Sequence, residues 1–323
     1  MLLAVGIGSV DVPVRDSWRI VVRHLTGGSR EGLDPVQDQI VWEYRMPRVL
    51  LAALAGAGLA VAGVVLQALV ANPLADPYVL GISSGASTGA VLVMTAGSAS
   101  TGGLGVSAAA FVGAGVATVL VFALGRRGGR LSPLRLVLAG VAIGYLFQAA
   151  TGYLQLQASP NELRRVMFWL LGSVAGARWD QLEVVAVAVV VLTVLLLLCG
   201  RRLNALVTGE EQATALGIDV NRLRVLLLAA CALLTGTIIA VTGGVGFVGL
   251  LVPHIVRLGF GADHRRVLPL SALTGALYLV AVDLLSRTVD SPNEIPLGIF
   301  TAAVGAPVLL WLLRRDGGAG RGV

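Results

Sequence analysis

Residues 47–70 read PRVLLAALAGAGLAVAGVVLQALV, a run of 24 positions with one charge, Arg48, and one amide, Gln67. At ~1.5 Å per residue, a helix of that length covers ~36 Å, more than the ~30 Å hydrocarbon core of a bilayer. The run ends in Ala71-Asn72-Pro73-Leu74-Ala75-Asp76-Pro77. Two prolines four residues apart stop helix propagation there. A second apolar run begins almost at once, from Gly81 to Ala96. The pattern is a spanning helix, a tight turn and a returning helix.

Working outward, runs of the same kind lie at Ser107–Leu124, Pro133–Leu156, Leu182–Cys199, Leu223–Val241, Phe247–Phe260, Val267–Leu285 and Pro296–Leu313. Met1–Val10 is a tenth candidate, although ten residues cover only about half of the core. It lacks the basic region and cleavage site of a signal peptide, so it reads as a first helix whose beginning is missing. The expected fold is an all-α polytopic membrane protein of about ten transmembrane helices, the first one truncated, forming one domain over residues 1–323. Composition agrees: 56% of residues are hydrophobic, 13% are charged and the mean hydropathy is +0.85. A soluble chain of this size needs far more polar surface, so lipid must cover much of this one. The 42 glycines suit close helix packing, with Gly85-x-x-x-Gly89 and Gly140-x-x-x-Gly144 as candidate contacts. Cys199 and Cys231 read as small core residues, with no disulfide framework.

All 24 basic residues are arginines. A Walker A phosphate loop requires lysine, so this chain cannot carry that ATP site. Arginine placement also orients the chain. If the loops after Leu124, Cys199 and Phe260 share a side with the carboxyl terminus, that side holds 14 arginines and 6 acids; the other holds 10 and 12. The positive-inside rule makes the first side cytoplasmic. Two segments look interfacial. In Asp16–Leu25, the residues Trp18, Val21, Val22 and Leu25 share a helical face. Ser159-Pro160-Asn161-Glu162 is a capping box that opens a helix through Trp169.

Each remaining motif has a structural and a functional reading. The cytoplasmic loop 200–224 contains Thr208-Gly209-Glu210-Glu211, a capping-box pattern, and Gly217, a candidate C-cap. A short rigid helix there is either a connector or a lever for a peripheral ATPase. Asn72 and Leu74 lie in a tight turn that can also constrict a pore. Arg45 and Arg48 precede a span at its external end, beside Trp42 and Tyr44, as snorkelling anchors would. Asp283 lies within a span, with Arg287 one helical turn on at ion-pair spacing. Gly244-x-Gly246-x-x-Gly249 matches the dinucleotide fingerprint in letters only, since it enters an apolar span. His254 reads as an internal hydrogen-bonding group. No set of histidines, cysteines and carboxylates has catalytic or metal-ligand spacing, so neither an enzyme nor a resident cofactor is expected. An ion-coupled transporter would need more ionisable groups inside the membrane than Asp283.

These segments together resemble the FecCD-like permeases of type II ABC importers for ferric siderophores, haem and cobalamin. The matching pieces are Arg45-Met-Pro-Arg48, Gln67 with Asn72-Pro-Leu-Ala-Asp-Pro77, Leu80-Gly-Ile-Ser-Ser-Gly-Ala86 and Trp169-Leu-Leu-Gly-Ser173. Further on come Gly209-Glu210 with Ala213 and Leu216-Gly217, Phe247-Val-Gly-Leu-Leu-Val-Pro-His254 with Arg257, Asp283 with Arg287, and Glu294-Ile-Pro-Leu-Gly298 leading to Gly305-Ala-Pro307. The resemblance implies ten helices and a homodimer around a pathway lined largely by helices five and ten. It implies two cytoplasmic ATPase subunits, which bind the ATP and magnesium, and one extracytoplasmic substrate-binding protein; nucleic acid has no place in it. Gly209, Glu210, Glu211, Ala213, Leu216 and Gly217 would couple to the ATPase. Asn72 and Leu74 would gate the cytoplasmic end, with Ser132 in a second layer that the following Pro133 alters. Arg45, Arg48 and Arg287 would face glutamates of the binding protein. The implied location is the cytoplasmic membrane of a bacterium, and the expected cargo is a ferric siderophore, with haem and then cobalamin next.

Overall fold

The computed structural model describes residues 2–8, 12–27, 34–96 and 104–319. The chain opens with α1 (Leu2–Gly6) and α2 (Val14–Thr26). Helix α3 (Pro35–Gln39) runs through a π-helical turn, Ile40–Arg45, into α4 (Met46–Val70). A 3-10 turn at Pro77–Leu80 leads to α5 (Ile82–Thr95) and α6 (Leu104–Gly125). A two-stranded hairpin, β1 (Arg126–Arg127) with β2 (Arg130–Leu131), precedes α7 (Pro133–Leu156), α8 (Pro160–Leu171) and α9 (Trp179–Leu198). Short helices α10 (Gly200–Thr208) and α11 (Glu210–Ala215) follow. The chain then continues through α12 (Val220–Thr242), α13 (Val248–Phe260), α14 (His264–Thr288) and α15 (Leu297–Ala319).

Among the described residues, six helices are long and apolar enough to cross a membrane: the continuous helix 35–70, α6, α7, α9, α12 and α14. The shorter apolar helices α5, α13 and α15 occupy the three remaining runs found in the sequence. Residues 2–8 of the tenth candidate hold only the five-residue α1; the rest of that segment lies outside the described residues.

Helix α4 is the central pillar, buried along almost its whole length. Its glycines let neighbours touch its backbone. A Cβ on Gly56 would sit 2.1 Å from the Gly275 carbonyl oxygen of α14, and one on Gly275 would sit 2.3 Å from Gly56 O. The Gly85/Gly89 pair does the same for α5 against α6, where a Cβ on Gly85 would meet Gly113 O at 2.4 Å. Gly140 and Gly144 of α7 lie against Gly81 just before α5, where a Cβ on Gly81 would meet Gly140 O at 3.2 Å and Gly144 N at 3.4 Å, and both also line a cavity. Helices α6 and α9 turn Val112, Val116 and Val119, and Val184, Val187 and Leu195, outward, as lipid-facing surfaces require.

Two elements differ from expectation. In α2 the buried face is Ser17, Ile20 and Val21, with His24 one turn on hydrogen-bonded to Asp38 and stacked on Trp42. Trp18 and Leu25 face outward. The segment folds against the protein as well as presenting an apolar side. The capping box at Thr208 does not form, because Thr208 ends α10 and gives its hydroxyl to Ala205 O. The N-cap of α11 is Gly209, without a side-chain bond. By contrast, the capping box at Ser159 and Glu162 is present in full.

Candidate functional site

The functional candidates fall at two opposite ends of the bundle with a cavity between them. At one end, Arg45, Arg48 and Arg287 are all buried, with 6–8% of their surface exposed. Arg48 Nε donates to Asp283 Oδ1 at 2.7 Å and its Nη1 to Glu294 Oε1 at 2.6 Å. Arg287 Nη2 lies 3.2 Å from Asp283 Oδ2, an ion pair short of hydrogen-bond geometry, and donates to Ala4 O at 2.6 Å. Arg45 Nη1 donates to the carbonyls of Val5 and Gly6. These guanidiniums are therefore not snorkelling anchors. They cap the C-terminal carbonyls of α1 and hold a fully buried carboxylate, Asp283, between α4 and α14. All three still line a recess of about 370 Å³ with Tyr44, Pro292 and Glu294, so an acidic group reaches them only through its mouth.

The other end gathers the three loops that arginine counting placed together. Leu131 N donates to Asn221 Oδ1 and Asn221 Nδ2 to Gly129 O, joining the hairpin to the start of α12. Asn204 Nδ2 donates to Asp263 Oδ1 at 2.7 Å, joining α10 to the N-cap of α14. That bond, followed by the Arg265 N–H, holds the Asp263 carboxyl below the usual aspartate range. Asn72 and Leu74 are exposed on the tight turn, with Asn72 Oδ1 accepting from Leu74 N. Asp76 caps the 3-10 turn through Tyr78 N. In α11, Glu210 and Glu211 are exposed, Ala213 is fully buried and Leu216 is 71% exposed. Gly217 has φ +78°, in the left-handed region, so it does terminate the helix. Ser132, the N-cap of α7, shares a recess of about 480 Å³ with Glu210, Thr214 and Arg224.

The cavity between the two ends holds about 840 Å³. Its walls are α5, through Ser83, Ser84 and Ser87, and α7, through Tyr145, Gln148, Thr151 and Gln155. Thr88 Oγ1 meets Thr151 Oγ1 at 2.8 Å, and so fastens the two walls together. Among the described residues, no charged side chain lines it. Counting Met1–Val10 as helix one, α7 is helix five and α15 is helix ten. The first lines the cavity; among the described residues, the second does not.

Sequence reasoning missed three links. Arg48 reaches Asp283 across 235 positions, Arg257 donates to Gln67 Oε1 across 190, and Arg224 Nη1 pairs with Glu210 Oε1 at 2.6 Å. Gln67 also donates to Gly249 O, so it bridges α4 and α13 twice. A buried arginine facing a helix stretch without nearby acids was the available signal. Among the described residues, no group of three histidine, cysteine or acidic side chains is placed to hold a metal.

A helical bundle with six helices long and apolar enough to cross a membrane and a cavity between two polar ends fits a class, the polytopic membrane permeases. Residues 1–315 match the model of the FecCD transport family, and the chain belongs to that family. It is 44% identical to a cobalamin import system permease protein of Halobacterium salinarum, over 88% of this chain and 75% of that one. It is 42% identical to a hemin transport system permease of Yersinia pestis, over 85% and 84%. It is 38% identical to the Fe(3+) dicitrate transport system permease of Escherichia coli, over 97% and 94%. A solved metal-chelate-type ABC transporter in an inward-facing conformation superposes with a TM-score of 0.84 at 33% identity, covering 97% of this chain and 94% of that one. The chain is thus a permease of a type II ABC importer.

Proposed function

We propose that two copies of this chain form the membrane pathway of an importer for bulky metal chelates in a bacterial cytoplasmic membrane. Two cytoplasmic ATPase subunits would dock on α11 and an extracytoplasmic binding protein on the arginine recess. The cavity between α5 and α7 carries the reading. Its α7 wall is open, with Tyr145 70% exposed, so a second copy across the axis would close it. Asn72, Leu74 and Ser132 lie at the end assigned to the cytoplasm, where two copies can meet to shut the pathway. ATP and magnesium belong to the ATPase.

The lining also bears on the cargo. Hydroxyls and amides can follow a polar, uncharged periphery, whereas carboxylates would lose water here without a counter-charge. This favours a neutral chelate, such as a hydroxamate ferric siderophore or cobalamin, over hemin or ferric dicitrate. The sequence placed haem ahead of cobalamin; the uncharged lining reverses that order. The test is uptake of radiolabelled ferric hydroxamate, cobalamin and hemin by cells expressing the complete importer. Accumulation of a neutral chelate, undiminished by excess hemin, is expected. Uptake of hemin alone would overturn the assignment.

A further inference from the structure

The recess of about 480 Å³ separates α11 from Ser132, and the first turn of α12 bridges the gap on its two sides. Asn221 and Arg224 are three residues apart and therefore share a helical face. Asn221 grips the hairpin twice, accepting from Leu131 N at 3.2 Å and donating to Gly129 O at 3.3 Å. Arg224, 9% exposed, grips Glu210 at the first position of α11. The turn itself is stiffened by Asp219, which accepts from Arg222 N at 2.9 Å. The hairpin is antiparallel and runs straight into Ser132, the N-cap of α7, whose far side lines the cavity.

We infer that the first turn of α12 is a relay, in which Arg224 takes up the displacement of α11 and Asn221 passes it through the hairpin to α7. The relay rests on the reading of α11 as the ATPase-docking helix. Both are positioning residues for the gate. A displaced α11 pulls on a buried guanidinium that has no other ion-pair partner among the described residues. The same rigid turn must then move Asn221 and the backbone of the hairpin. Without the turn, the recess would absorb the motion before it reached Ser132.

The test uses the complete transporter in proteoliposomes, with uptake per ATP hydrolysed as the readout. Asn221→Leu removes both bonds to the hairpin and leaves Arg224 with Glu210. Arg224→Met does the reverse. Each variant is expected to retain the ATPase and its basal hydrolysis while uptake per ATP falls about tenfold, within the range of allosteric coupling. Because the two links act in series, the double variant should fall no further than either single one. Asn221→Asp keeps the acceptor for Leu131 N and should keep most of the uptake. Should Asn221→Leu fail to reach the membrane, Arg224→Met and Asn221→Asp carry the test. Unchanged uptake per ATP in Asn221→Leu or Arg224→Met, or losses that add, overturns the relay. A separate arm guards the premise: if Gly217→Val leaves ATPase binding and coupling intact, the reading of α11 and the relay fall together.

Discussion

Asp283 is the residue whose environment most constrains the molecule. A carboxylate with no exposed surface persists there because two arginines meet it, one on its own helix and one on α4. Half of this arrangement was legible in the sequence. Arg287 follows Asp283 by one helical turn, and helix geometry alone brings the two together. The Arg48 contact spans 235 residues and depends on the Gly56–Gly275 approach, which no local pattern reveals. The arrangement also changes what a charge reversal would report. Arg48→Glu would set a third acid beside Asp283 and Glu294, so a loss of docking could not be told from a loss of fold. The informative change is Arg48→Met. It should cost up to about 3–5 kcal/mol, the penalty for an uncompensated buried charge, because Arg287 still faces Asp283 at 3.2 Å, and Arg48→Met with Asp283→Leu and Arg287→Met should recover much of the loss. Thermal denaturation in detergent measures both; an unchanged midpoint for Arg48→Met would show that the pair carries no stability.

Elements were legible in proportion to how local their causes are. Apolar length marked the nine long runs, and the serine capping box marked the start of α8. The pattern at Thr208 failed because a preceding helix, α10, consumes the threonine, and its buried Leu203 and Leu206 were not recognised as a helix stripe. Gly217 was read correctly, since a short helix ending before glycine asks for a left-handed residue. Gly217→Val should therefore strain that turn by roughly 1–2 kcal/mol and reduce ATPase copurification and coupled hydrolysis without blocking membrane insertion. Full coupling in that variant would make α11 a plain connector. Packing between elements gives a second test. Gly56→Ala puts a methyl against backbone and should destabilise by about 1–3 kcal/mol, whereas Gly115→Ala, with open space around it, should not. Equal midpoints for the two in the same denaturation assay would contradict the α4–α14 contact.

For the whole molecule, arginine counting grouped the loops correctly by end, as the hairpin–Asn221 and Asn204–Asp263 bonds show. The pathway was less legible. Cavity walls come from spatial neighbours, and the wall proposed for a second copy would leave no mark within one chain's sequence. Cysteines at Asn161 and Ser291 should label from outside, and one at Gly209 only after permeabilisation. External labelling at Gly209 would invert the orientation. Cysteines at Asn72 or Leu74 should crosslink two copies at rest and less so during turnover; failure in every state would remove them from the gate. The most direct test of the central claim is cargo uptake into proteoliposomes holding this permease, with and without its ATPase, ATP and loaded binding protein. Uptake is expected only when all three are present and should stop on ATP depletion with any ion gradient intact. Uptake that survives without the ATPase and follows an ion gradient would contradict the account.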